Sequence, residues 1–212
     1  ALEEDIALAN TALDLLGQAR ALLSHVGDED RLTYLREERE FLNVTLAELP
    51  KGDFAFTVLR NFLLSSWVLL LWQRLAKSSD EQLSAIAGKA VKEARYHREH
   101  AADWVVRLGD GTDESARRMQ AALERQWPYT NELVDSDEVD RAAAESGLGP
   151  DWKSLRGFWL ADVAAVFDDA HLTFPSTDGI RSEAKRGRHS EHMGRLLAEM
   201  QYLHRAFPGG VW

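Results

Sequence analysis

The sequence contains no cysteine. That excludes disulfides, thiolate-held zinc and iron–sulfur centres, and it fits a reducing cytoplasm. Glu-x-x-His is also absent from all 212 residues. In helical bundles that hold two iron ions this motif occurs twice, because i, i+3 spacing sets a carboxylate and an imidazole on one inward face. Two further helices each add a Glu. Where one copy is expected, the chain reads Glu93-Ala94-Arg95-Tyr96-His97, with Tyr in the place of His. The preceding stretch, Phe54 to Ala76, has no Asp or Glu at all. Gly-x-Ser-x-Gly and phosphate-binding glycine loops are missing too, which leaves little for nucleophilic catalysis. Acidic residues outnumber basic ones by 35 to 25, and the net charge of -10 argues against a nucleic-acid partner. The longest apolar run, Phe62 to Trp72, contains two serines and is too short to span a bilayer, so it reads as a buried helix. The opening residues are acidic and lead into an amphipathic stretch, unlike a secretory signal.

What the chain does have is helical periodicity. Apolar residues from Ile6 to Leu23 repeat at helical spacing across 2–26. A second helix is predicted over 31–48, with Leu32, Leu35, Leu42 and Leu46 inward and Glu37, Glu38 and Glu40 outward. Asp53 is a plausible N-cap for a helix over 54–77 that is apolar almost all round and therefore central. Ser79-Asp80 caps a helix over 80–108, and Gly109 and Gly111 end it. Further helices are predicted over 113–133 (perturbed at Pro128), 137–146, 151–171 and 189–206, with a loop over 173–188. No period-two alternation persists anywhere. The expected fold is an all-α bundle with additional C-terminal helices, forming one domain over 1–212.

Two clusters could carry metal chemistry. Glu93, His97 and His100 share one helix face, but a bundle site needs carboxylates from facing helices, and 54–77 offers none. The simpler reading is a structural polar cluster of Glu38, Glu93, Tyr96 and His97, satisfied by hydrogen bonds and ion pairs. Asp168-x-x-His171 stands alone near a helix end, where the dipole favours His. The second cluster, His189-Ser190-Glu191-His192, follows a basic loop through Lys185, Arg186 and Arg188 and opens a helix. Docking of a partner or an anion is favoured over metal there, with a plain solvated loop as the competing reading. Trp67 and Trp72 belong in the core. Trp104, Trp127, Trp152, Trp159 and Trp212 lie on more polar segments, where tryptophan marks either an interface or a plugged bundle end. Trp152, Trp159, Lys185, Arg186, His189 and His192 are the candidate interface residues.

Four blocks carry a family resemblance: Asp5–Asn10 with Ala12–Arg20, Lys92–His97, Leu108–Asp113 and Leu197–Leu203. They are distributed from end to end. The chain resembles the structural-subunit family of the bacterial phenylacetyl-CoA epoxidases. The resemblance implies a ferritin-like bundle, cytoplasmic phenylacetate catabolism, and a hetero-oligomer in which the di-iron centre sits in a sister subunit. It implies no cofactor and no catalytic residue in this chain, and no nucleic-acid or membrane partner. It also implies an extra N-terminal helical segment that is missing here. The alternatives are a metal-free ferritin-like protein that binds a small ligand, and a di-iron oxidase in its own right.

Overall fold

The structure is a computed structural model that describes residues 2–176, 179–180 and 182–210. Its centre is an antiparallel pair, α3 (Phe54–Leu75) and α4 (Glu81–Gly109). Asp53 caps α3 by accepting from the Phe56 amide at 2.9 Å, and Asp80 caps α4 through the Leu83 amide at 2.8 Å. The two helices differ in bulk. On α4, Ala87, Ala90, Ala94, Ala101 and Ala102 are buried, and they let the large side chains of α3 approach closely. α3 is long and apolar enough to cross a membrane by length and composition, but half of its most apolar window is buried in the bundle, as in a core helix.

Around this pair pack α1 (Leu2–Val26) against α4, α5 (Asp113–Gln126) against both, and α7 (Arg156–Asp169) against both. The main core gathers Leu59, Phe62 and Leu63 of α3, Val105 of α4, Met119 and Leu123 of α5, and Trp159, Val163 and Phe167 of α7. A smaller core at the other end joins Trp72 to Ala87, Ala90 and Ala94 of α4, with Leu22 of α1 beside it. α6 (Glu138–Glu145) and α8 (Met193–Ala206) complete the all-α, ferritin-like arrangement. Among the described residues the only β-pairing is an isolated bridge between Glu183 and Arg188.

Several predicted bounds shift. The helix expected over 31–48 is not continuous. It breaks into a π-turn at Arg31–Leu35, a 3-10 turn at Glu38–Glu40, extended residues, and a short α2 (Thr45–Glu48). Leu35 and Leu42, expected inward, are exposed, while Leu46 is fully buried. The cause is local. Glu37 and Glu40 form a capping box that starts a new turn, and Val44-Thr45 brings β-branched residues of low helix propensity. The helix expected over 113–133 ends at Gln126, and Trp127–Leu133 tightens into a 3-10 turn around Pro128. The cap of α5 is Thr112, with Ser115 completing the reciprocal pair. The helix expected from 151 opens as a 3-10 turn, Trp152–Leu155, before α7 begins. α8 starts at Met193, so His189 to His192 precede the helix instead of opening it.

Candidate functional site

A polar seam joins α1 to α4. Gln18 Nε2 donates to Glu93 Oε2 at 2.9 Å, and Gln18 Oε1 accepts from Trp72 Nε1 of α3 at 3.3 Å. One buried amide thus ties three helices together. Lys89 Nζ lies 3.6 Å from the other Glu93 oxygen, one turn away on the same helix. His97 Nε2 shares a 2.9 Å hydrogen bond with Asp14 Oδ2, and the His97 side chain is only 6% exposed. His100 Nε2 stands 3.2 Å from Glu4 Oε2 without hydrogen-bond alignment. At the far end His25 meets Asp80 at 2.9 Å.

The predicted cluster is therefore only partly brought together. Glu93 and His97 share the seam. Tyr96 is half-exposed, with its ring stacked 6.0 Å from His100. The backbone turns position 97 inward and position 96 outward. Glu38 is not in this seam; its carboxylate sits beside Gly194 of α8. Asp14 and Gln18 escape a reading of the sequence for metal-ligand spacing. Their signal is nevertheless there: an acid and an amide at i, i+4 spacing in an otherwise apolar stretch, Leu13 to Ala19.

A di-iron group does not fit these residues. α3 presents no carboxylate, and Glu93, His97 and His100 each face a side chain of α1. Among the described residues, no three His, Asp or Glu side chains converge as metal ligands would.

Two buried carboxylates organise the second region, and neither stands out in the sequence. Glu132 Oε2 accepts from the Thr45 amide at 2.6 Å and its Oε1 from the Ala184 amide at 3.0 Å. Glu48 Oε1 bonds His189 Nδ1 at 2.6 Å and accepts from Asn43 Nδ2 at 2.7 Å, while Oε2 accepts from the Ser190 amide at 2.8 Å. His189 Nε2 reaches the Phe41 carbonyl at 2.9 Å. Through these bonds the 183–190 segment is stapled onto the 41–48 segment. Each acid stands beside an apolar residue, Glu48-Leu49 and Glu132-Leu133, and that flanking is the available signal.

The interface candidates divide accordingly. The His189 side chain is out of solvent. Trp159 is 1% exposed, donates to the Leu63 carbonyl at 3.2 Å and stacks on Trp127. Trp152 is half-buried, edge-on to Trp67, with Lys185 Nζ 3.6 Å over its ring. Lys185 also pairs with Asp140 at 2.7 Å. Arg186 is exposed and His192 partly so. Trp104 meets Phe54 edge-on at 5.0 Å. Trp212 lies outside the described residues. Three surface acids are held below the usual carboxylate range by hydrogen bonds: Asp80 by the Leu83 amide and then His25, Glu114 by Arg118 and Arg117, and Asp151 by the Ser136 hydroxyl.

The profile of the phenylacetic acid catabolic protein family matches residues 1–212, the whole chain. The chain belongs to this family. Within the known proteins it is similar to the C subunit of the 1,2-phenylacetyl-CoA epoxidase of Escherichia coli (strain K12). The two are 48% identical over 217 residues, covering 100% of this chain and 88% of the relative. Membership over the full length agrees with the fold: the bundle helices and the C-terminal α8 all fall inside the matched range.

Proposed function

We propose that this chain is a non-catalytic structural subunit of a phenylacetyl-CoA epoxidase complex in aerobic phenylacetate catabolism. In this reading it works in the cytoplasm and supports a separate subunit that holds the di-iron centre. It carries no cofactor of its own. The observation behind the non-catalytic role is the carboxylate-free α3 facing an α4 whose Glu93 and His97 are engaged by Gln18 and Asp14. Iron in such bundles needs ligands from four helices. The observation behind the choice of complex is the full-length similarity to a protein named as the C subunit of that epoxidase.

Co-expression with the catalytic partner tests the reading. The expected result is a stable hetero-oligomer, with an obligate interface on the order of 2,000 Å² or more. By itself the chain is expected to show no epoxidation of phenylacetyl-CoA with any added reductase, and to raise the solubility or turnover of its partner when mixed. No association at micromolar concentration, together with full activity of the catalytic partner by itself, sinks it. Epoxidation by the isolated chain would favour a di-iron oxidase instead.

A further inference from the structure

A cleft of about 460 Å³ lies between the α2–α3 connection and the first turns of α8. Its charge is opposite to that of the molecule. The chain has net charge -10, yet Lys51, Arg60 and Arg195 line this one cleft against two acids, Glu48 and Glu199, with His192 beside them. Its two acids leave an excess of one cation, and both acids already have partners. Glu48 is engaged by His189, Asn43 and the Ser190 amide. Glu199 is exposed and stands 3.7 Å from Arg195, a long i, i+4 contact.

Arg60 is the most deeply placed cation of the cleft. It projects from the core helix α3 and is half-buried. One guanidinium nitrogen donates to the Leu49 carbonyl at 2.6 Å, which fixes the fork without neutralising it. Among the described residues neither Arg60 nor Lys51 forms an ion pair. Burial holds the Arg60 guanidinium below its ordinary value. A partly desolvated cation without a counter-charge is costly, and a bound anion removes that cost. Guanidinium keeps several donors in a planar fork suited to phosphate oxygens, and the lysine adds a mobile point charge.

We infer that this cleft binds a phosphate-bearing anion, with Arg60 as the fixed anchor and Lys51 and Arg195 as flanking cations. Its volume is larger than one phosphate requires, so a diphosphate fits its size. The source is either free pyrophosphate or the diphosphate of a nucleotide-type molecule. The inference does not depend on the proposed structural role, because it concerns this chain alone and its partner association is measured separately.

Calorimetric titration of the full chain with pyrophosphate, ADP and adenosine at low salt tests it. Pyrophosphate should bind with a dissociation constant of about 1 mM or tighter, and added salt should weaken it. Lys51→Gln with Arg195→Gln, both at the surface, should weaken binding about tenfold or more. Arg60→Met should abolish it; since that change also removes the Leu49 bond, the surface pair decides if Arg60→Met does not fold. Equal affinity for pyrophosphate and ADP with adenosine silent supports a site for the diphosphate alone. Tighter ADP supports a site that also holds the nucleoside. No saturable binding of either anion, or binding unchanged in the Lys51 and Arg195 variant, overturns the inference.

Discussion

Glu48 and Glu132 are buried acids, and every one of their oxygens has a partner. A buried charge is tolerated only on such terms. Removing Glu48 strands the His189 ring and the Ser190 amide. Glu48→Ala should therefore cost about 3–5 kcal/mol, whereas Glu199→Ala on the exposed rim should change stability by less than about 0.5 kcal/mol. Urea unfolding of both variants checks this; equal, small losses would show that the staple contributes little. Gly187 is the second sensitive residue. Its φ is +73°, and a Cβ there would lie 2.4 Å from the Arg39 carbonyl oxygen. Gly187→Ala combines left-handed strain with a backbone clash, so a loss of about 2 kcal/mol or more is expected in the same measurement. The sequence showed that Glu93 and His97 share a helix face. It could not show which of Tyr96 and His97 turns inward, because one residue is 100° of helix and the apolar stripe on α4 is made of alanines, which mark burial weakly.

At the scale of elements, the long helices were legible because their apolar spacing and their caps agree. α3 and α4 begin at Asp53 and Asp80 as their sequences announce. The 31–48 stretch was not. Its leucines fall at helical spacing, but the Glu37–Glu40 capping box and the Thr45 amide bond to Glu132 bind the backbone in other directions. A tertiary partner 87 residues away decides that segment, and periodicity carries no trace of it. α1 is a different case. Its wide apolar stripe made the helix plain, yet Leu2, Ile6, Leu13 and Leu16 are exposed in the structure, and its attachment runs through the polar seam. Asp80 terminates that seam. Its carboxyl is lowered by the Leu83 amide first and by His25 next. A depressed folded-state value means a contribution fully present above the ordinary Asp range of about 4 and lost as the pH falls through the lower folded value. The protection factor against hydrogen exchange at the first turn of α4, corrected for the intrinsic pH dependence of exchange, should accordingly fall on acidification below about pH 4. In Asp80→Asn this pH dependence should disappear. An unchanged acid response in that variant would assign the effect to other carboxylates.

For the whole molecule, the question is whether one substitution could turn this bundle into a metal-binding one. Tyr96→His creates the missing Glu93-x-x-His pair in sequence. In space it does not, since the side chain at position 96 is half-exposed. The inward position is 97, already a histidine and already bonded to Asp14. Beyond α4, the facing helix α3 supplies serines, tryptophans and aliphatic residues but no acid along its 22 residues. A di-iron site draws on four helices together, so a single added imidazole leaves the ligand set short by several carboxylates. Both the native chain and Tyr96→His should thus lose iron on dialysis against a chelator, with elemental analysis showing far less than one iron per chain. Near-stoichiometric retained iron in the native chain would defeat the non-catalytic reading. Retention in Tyr96→His alone would show instead that α4 can rotate to bring position 96 inward, and that the seam of Gln18, Asp14 and His25 does not fix its orientation as the geometry requires.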